Sequence, residues 1–178
     1  MKKILITLSL VILTTATYAQ SAFDKFENTE DVKVVIMNKN LFKMLSSFKG
    51  AVADDPEAQQ YMELIQTLDN LRVFSTSNKK VALDMENTFN TYLKNNKLDE
   101  LMRVKENNSN IKFYVKPGKT ENMVNELLMF VNTRNEQSPD STETIILSIT
   151  GLIDLNKISA LTEKMNIPGG DQIGKKKN

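Results

Sequence analysis

The chain has 178 residues, with 23 Lys and Arg against 22 Asp and Glu, and it contains neither cysteine nor histidine. That length supplies one domain with a sizeable core, and the even charge balance offers no basic face for nucleic acid. The two missing residue types exclude Ser-His-Asp and Cys-His catalysis, zinc sites built on His or Cys, covalent haem attachment and thiol redox chemistry.

In chain order, residues 1–19 read as a secretory signal peptide. Lys2 and Lys3 form a positive start, residues 4–13 an apolar centre too short for a bilayer span, and Thr17 and Ala19 occupy the −3 and −1 positions of a cleavage site before Gln20. Without Lys2 and Lys3 the basic count falls to 21 against 22 acids. An exported chain without cysteine depends on packing, not disulfides.

Residues 20–167 read as a single α+β domain. Phe23 and Phe26 anchor a helical turn, and Val32 to Met37 alternates as a strand. Asn38 stands as the cap of a helix carrying Leu41, Leu45 and Phe48, with Phe42 and Met44 widening its face. Asp55-Pro56 reads as cap and first residue of the next helix, with Ala58, Tyr61, Ile65 and Leu68 on one side. Leu71 to Phe74 is a short strand. Ser77 then caps the longest helix, whose stripe is Val81, Ala82, Met85, Phe89, Tyr92 and Leu93.

Two strands, Leu98 to Lys105 and Ile111 to Lys116, flank a polar turn and predict a hairpin. A short helix is expected near Thr120. Leu127 to Val131 reads as strand, with helix as its rival, and residues 132–141 as a polar loop. Ile145, Leu147 and Ile149 then alternate along a strand that Gly151 interrupts. Asp154 caps a final helix with Leu155, Ile158, Leu161 and Met165 on one stripe. Residues 168–178, ending in Lys175 to Lys177, read as a flexible basic tail. The order of elements predicts a two-layer sandwich, a largely antiparallel sheet with helices packed on one face.

Three stretches carry a resemblance. They are the exported start, Leu98 to Lys105 leading into its polar hairpin, and Ile149 to Leu155 leading into the last helix; Glu126-Leu127-Leu128 before an apolar strand fits as well. Together they resemble domain-of-unknown-function family 4252, small exported proteins of Bacteroidetes. The resemblance implies export in a two-membraned bacterium and brings no assigned catalytic residues. The lipoprotein members of such a family carry a cysteine that this chain lacks.

The motifs with chemical meaning are weak. Gly118-Lys119-Thr120 looks like the end of a phosphate-binding loop, but the glycine needed five residues earlier is Phe113, so the segment reads as a turn. Asp54, Asp55 and Glu57 read as helix capping, not as a calcium site. Asp99 with Glu100, and Glu121 with Glu126, read as solvated carboxylates. The dispersed methionines read as core filling, without the clustering copper(I) requires.

No catalytic, cofactor-binding or metal-ligating residue is singled out, and no cofactor is expected. The reading leans against an enzyme. It favours an exported binding or protein-interaction module, periplasmic or extracellular, whose partner is another envelope protein and which has no stable membrane anchor once the signal is removed. The alternatives are a regulatory protein of envelope signalling that makes contact through its sheet, and a hydrolase using carboxylates or a Ser-Lys pair.

Overall fold

Strand β6 (Thr142–Asp154) sits near the middle of a six-stranded sheet, with β2 (Leu68–Thr76) on one side and β5 (Met123–Arg134) on the other. Beyond β2 lies β1 (Lys33–Asn38). Beyond β5 lie β4 (Ser109–Pro117) and β3 (Asp99–Glu106), giving the order β1-β2-β6-β5-β4-β3. Every pairing is antiparallel, as the adjacent hairpins predict. The structure, a computed structural model, describes residues 21–47, 55–106, 108–120, 122–134 and 142–158. The signal peptide, the basic tail, Asp54 and the stripe residues Phe48, Leu161 and Met165 lie outside the described residues.

The α+β class holds, but helices cover both faces of the sheet. Along β6, Ile145, Leu147 and Ile149 join one hydrophobic cluster while Ile146, between them, joins another. Alternating side chains point to opposite faces, so the clusters lie on opposite sides. The first face packs against α1 (Lys39–Ser46) through Phe42 and α2 (Pro56–Gln66) through Leu64. The second packs against α3 (Lys79–Asn96) through Met85, Phe89 and Tyr92, and against a 3-10 turn (Ser21–Asn28) through Phe23 and Phe26. The physical reason is that both parities of β5 and β6 are apolar, and a strand buried on one face needs only one.

Local chemistry explains most boundaries. Asn38 Oδ1 accepts from Asn40 N and Leu41 N and starts α1. Asp55 Oδ1 accepts from Ala58 N and starts α2. The cap of α3 is Asn78, not Ser77, accepting from Lys80 N and Val81 N. Leu68 belongs to β2, not to α2. In α1 the buried anchor is Phe42, while Met44 points outward at 55% exposure.

No helix forms near Thr120 among the described residues. Gly118 N donates to Met123 O at 2.8 Å and closes a tight turn, in which a Cβ on Gly118 would lie 2.6 Å from that oxygen. Gly151 does not end β6. It sits at φ 142° with its Cα against Thr67, where a Cβ would meet Thr67 O at 2.4 Å. Leu152 N donates to the same oxygen at 2.9 Å, tying β6 to the turn before β2. Asp154 Oδ1 accepts from Asn156 N at 2.9 Å and caps the helical residues 155–158, in the role the sequence assigns it.

Candidate interaction edge and polar recesses

The sheet has two edges of opposite character. On β3 the residues Asp99, Glu100, Arg103, Lys105 and Glu106 are exposed, and the register slips between Glu100 and Met102. Charge and a bulge blunt an edge against further pairing. Arg103 Nη2 donates to Glu100 Oε2 at 2.8 Å, and Tyr114 Oη donates to the same oxygen at 3.1 Å. The Arg103 hydrogen bond chiefly holds the Glu100 carboxyl below its ordinary value.

At the other edge β1 pairs with β2 in unbroken register from Lys33 opposite Ser75 to Asn38 opposite Asn70. Its outer side has no strand partner among the described residues. Val35 and Ile36 are 48% and 43% exposed, one on each face of the strand. Lys33 and Lys43 flank this stretch, and neither makes an ion pair with another described residue, whereas Lys39 is held by Asp69 at 2.6 Å. An even, apolar strand with its hydrogen-bonding groups presented outward is a template for another strand.

The second face carries a polar row at one end. Register places Thr76 opposite Thr144, Thr144 opposite Asn132, Asn132 opposite Asn110, and Asn110 opposite Lys105. Five strands thus contribute one polar residue each. A recess opens at each end of this row. One, of about 490 Å³, lies between α3 and strands β3 to β5. The other, of about 460 Å³, lies where the β1–β2 pair meets the start of α3. In the second, Thr76 Oγ1 donates to Asp31 O at 2.7 Å, and Asn78 Nδ2 donates to Asp31 Oδ2 at 2.8 Å. Asp31 adopts φ 64°, which an Asp tolerates better than most residues.

A carboxylate is buried on this same face. Glu126 is 4% exposed, and Tyr92 Oη lies 2.9 Å from both of its oxygens. Burial pushes the Glu126 carboxyl above its ordinary value, against the opposing pull of the Tyr92 hydrogen bond and Lys116. Burial and the adjacent carboxylate push the Tyr92 hydroxyl up in turn. The solvated reading of Glu126 is therefore overturned. The signal was parity: Glu126, Leu128 and Phe130 alternate on one strand face. The pair ties α3 to the sheet, and neither of the two recesses contains Tyr92 or Glu126.

Lysine, serine and carboxylate side chains line the second recess. Lys33 and Ser75 stand opposite each other and line the second recess, the closest approach to a Ser-Lys pair there. Lys33 is exposed, and no hydrogen bond joins it to Ser75. Activation of such a pair needs a desolvated lysine in contact with the hydroxyl. Asp31 and Glu143, in the same recess, are likewise exposed. Among the described residues no group of three or more acidic side chains is placed to hold a metal ion.

The chain is thus a three-layer α+β domain with one protected and one open sheet edge. Residues 26–161 match the family model described as "Domain of unknown function (DUF4252)", and the chain belongs to that family. No curated protein and no solved structure matches it.

Proposed function

We propose that this protein is an exported, non-enzymatic interaction module, of the kind found in Bacteroidetes envelopes, that receives an extended segment of another envelope protein along β1. The carrying observation is the open edge, with Val35 and Ile36 exposed and no bulge or charge on the strand between Lys33 and Asn38. A partner strand added there gains backbone hydrogen bonds and covers apolar side chains on both faces. Lys33 and Lys43, which make no ion pair with another described residue, favour a segment whose apolar core is flanked by carboxylates. Regulation of envelope signalling is a role that such a contact would serve.

Photo-crosslinkers placed at residues 35 and 36 test this in the living cell, with residue 83 as control. Leu83 is 62% exposed but lies on α3, away from the edge. Adducts to one other envelope protein from 35 and 36 only, and loss of binding of the matching synthetic peptide by Ile36→Lys, are expected. Equal adducts from residue 83, or adducts only to a second copy of the chain, would overturn the reading. Export is checked separately by intact mass, which is expected to show a cut after Ala19; a species retaining Lys2 and Lys3 would defeat that part.

A further inference from the structure

The recess beside α3 is built differently from the β1 edge. Asn110, Lys112 and Phe130 come from inner strands, Lys105 from β3, and Glu86 from the helix wall. Phe130 is almost wholly buried beneath Phe89, whose ring centroid lies 4.8 Å away, so it forms a fixed floor. The floor cannot shift without disturbing the second core.

The polar groups above that floor are unequal in what they lack. Asn110 Oδ1 is buried and accepts no hydrogen bond from the protein. A buried acceptor left without a donor is costly, which makes it a point of attraction for an incoming N–H or O–H. Lys105 and Lys112 make no ion pair with any described residue, and Lys112 acts on the Glu100 carboxylate only at longer range. Lys105 stands opposite Asn110 on the neighbouring strand, and Lys112 is two residues along β4 on the same face. Cross-strand neighbours are about 5 Å apart, so both ammonium groups reach the space over Asn110. Glu86 faces them from the helix side without an ion pair of its own among the described residues. Asn132 completes the wall with an amide that both donates and accepts, beside Asn108, which already has a contact of its own.

We infer that this recess binds a sugar acid, a hydroxyl-rich monocarboxylate of the hexuronate type. The two lysines take the carboxylate. The Asn110 side chain, whose Oδ1 is sealed from solvent at rest, turns toward the recess so that this oxygen accepts from a ligand hydroxyl, and the Asn132 amide suits an adjacent hydroxyl, which likewise donates and accepts. Glu86 accepts from a further hydroxyl and repels a second negative charge, which selects a monoanion over a phosphate dianion. The recess volume of about 490 Å³ admits a single hexose-sized ring. The inference stands independently of β1, which lies at the opposite end of the sheet, so either can fail alone.

The test is a titration of the ¹⁵N-labelled protein followed by amide chemical shifts. Sodium glucuronate is expected to give saturable shifts at Lys105, Asn108, Asn110, Lys112 and Asn132. Glucose, acetate, glycine and inorganic phosphate are expected to bind at least about tenfold more weakly, a difference of about 1.4 kcal/mol. The double variant Lys105→Met, Lys112→Met is expected to lose glucuronate binding by at least about tenfold while keeping the wild-type melting curve and spectrum. In Glu86→Gln, phosphate is expected to gain on glucuronate. Absence of saturable shifts, equal binding of any control solute, or binding that survives the double lysine replacement would overturn the assignment.

Discussion

The two faces of the sheet are made by the same strands and hold different kinds of interior. The first face gathers aliphatic and aromatic side chains from Phe42 to Ile158 without a buried polar residue among them. The second gathers a smaller cluster of rings, and it holds all four buried polar residues of the described chain: Thr76, Glu126, Thr144 and Ser148. Area burial alone stabilises the first, at about 25 cal/mol per Å² of apolar surface. The second gives up some of that gain for directional contacts. Tyr92 on Glu126 fixes where α3 lies, and Phe23 against Tyr92 at 5.0 Å fixes the 3-10 turn beside it. Hydrophobic burial specifies that a helix covers a face; hydrogen bonds and ring geometry specify which position it takes.

The largest test of that division compares one residue from each face. Phe89→Ala is expected to cost about 3–5 kcal/mol and Leu147→Ala about 2–5 kcal/mol, read from denaturant melts. The sharper readout is the near-ultraviolet signal of the tyrosines. Phe89→Ala should disturb it, because Phe89 meets Tyr114 edge-on at 5.7 Å, while Leu147→Ala should leave it close to wild type. Equal effects on both observables would erase the distinction between the faces.

Next in size, Tyr92→Phe removes the donor from a buried carboxylate and is expected to cost about 1.5–3 kcal/mol at neutral pH, measured by urea unfolding. An unchanged midpoint would show that the pair contributes nothing.

The same carboxylate gives the second face a pH dependence of its own. Its folded value is raised above the ordinary 4.5. The folded chain therefore holds a proton that the unfolded chain has already released. The contribution to stability is fully present below pH 4.5 and is lost as pH rises through the raised value. Glu126→Gln should flatten this decline, so that the variant gains on the wild type between acid and neutral pH. Parallel profiles for the two proteins would sink this account, and Leu147→Ala serves as the control that shifts the profile without changing its shape.

The smallest expected effect lies at the junction of β6 with the helical residues 155–158. Asp154→Ala should cost about 0.5–2 kcal/mol and Asp154→Asn close to nothing, because asparagine caps as well as aspartate. A large loss in the asparagine variant, seen in a thermal melt, would mean that charge and not capping is what Asp154 contributes.

Much of this architecture was legible. Strict alternation at Ile111, Phe113 and Val115, and at Ile145, Leu147 and Ile149, places β4 and β6. The stripe from Val81 to Leu93 places α3 and its buried side. What escaped did so for identifiable reasons. The apolar run Leu127 to Val131 occupies both parities, the mark of a strand covered on both sides, yet a lone run cannot say where the second cover comes from. Strand β2 starts before the expected Leu71, because Asn70 has strand partners on both sides, while Asp69 falls at a slip in the register with β6. Gly151 resembles a breaker, although the close approach of Thr67 is what requires it. The polar row was illegible in principle. Thr76, Asn110, Asn132 and Thr144 are unremarkable singly, and only strand register makes them neighbours.

The placement of β6 between β2 and β5 also bears on the order of assembly. Strands β3, β4 and β5 form a meander that closes through local turns, and β1 with β2 forms a second, separate pair. These two sub-assemblies share no ladder until β6 enters, and β6 follows all of them in sequence. Its pairing with β2 joins residues 68 to 83 positions apart, from Thr76 with Thr144 to Leu68 with Gly151, and such non-local pairing is slow to form. Both cores are therefore incomplete while the chain lacks its central strand. A chain emerging from the ribosome in this order completes neither core before its central strand has been made.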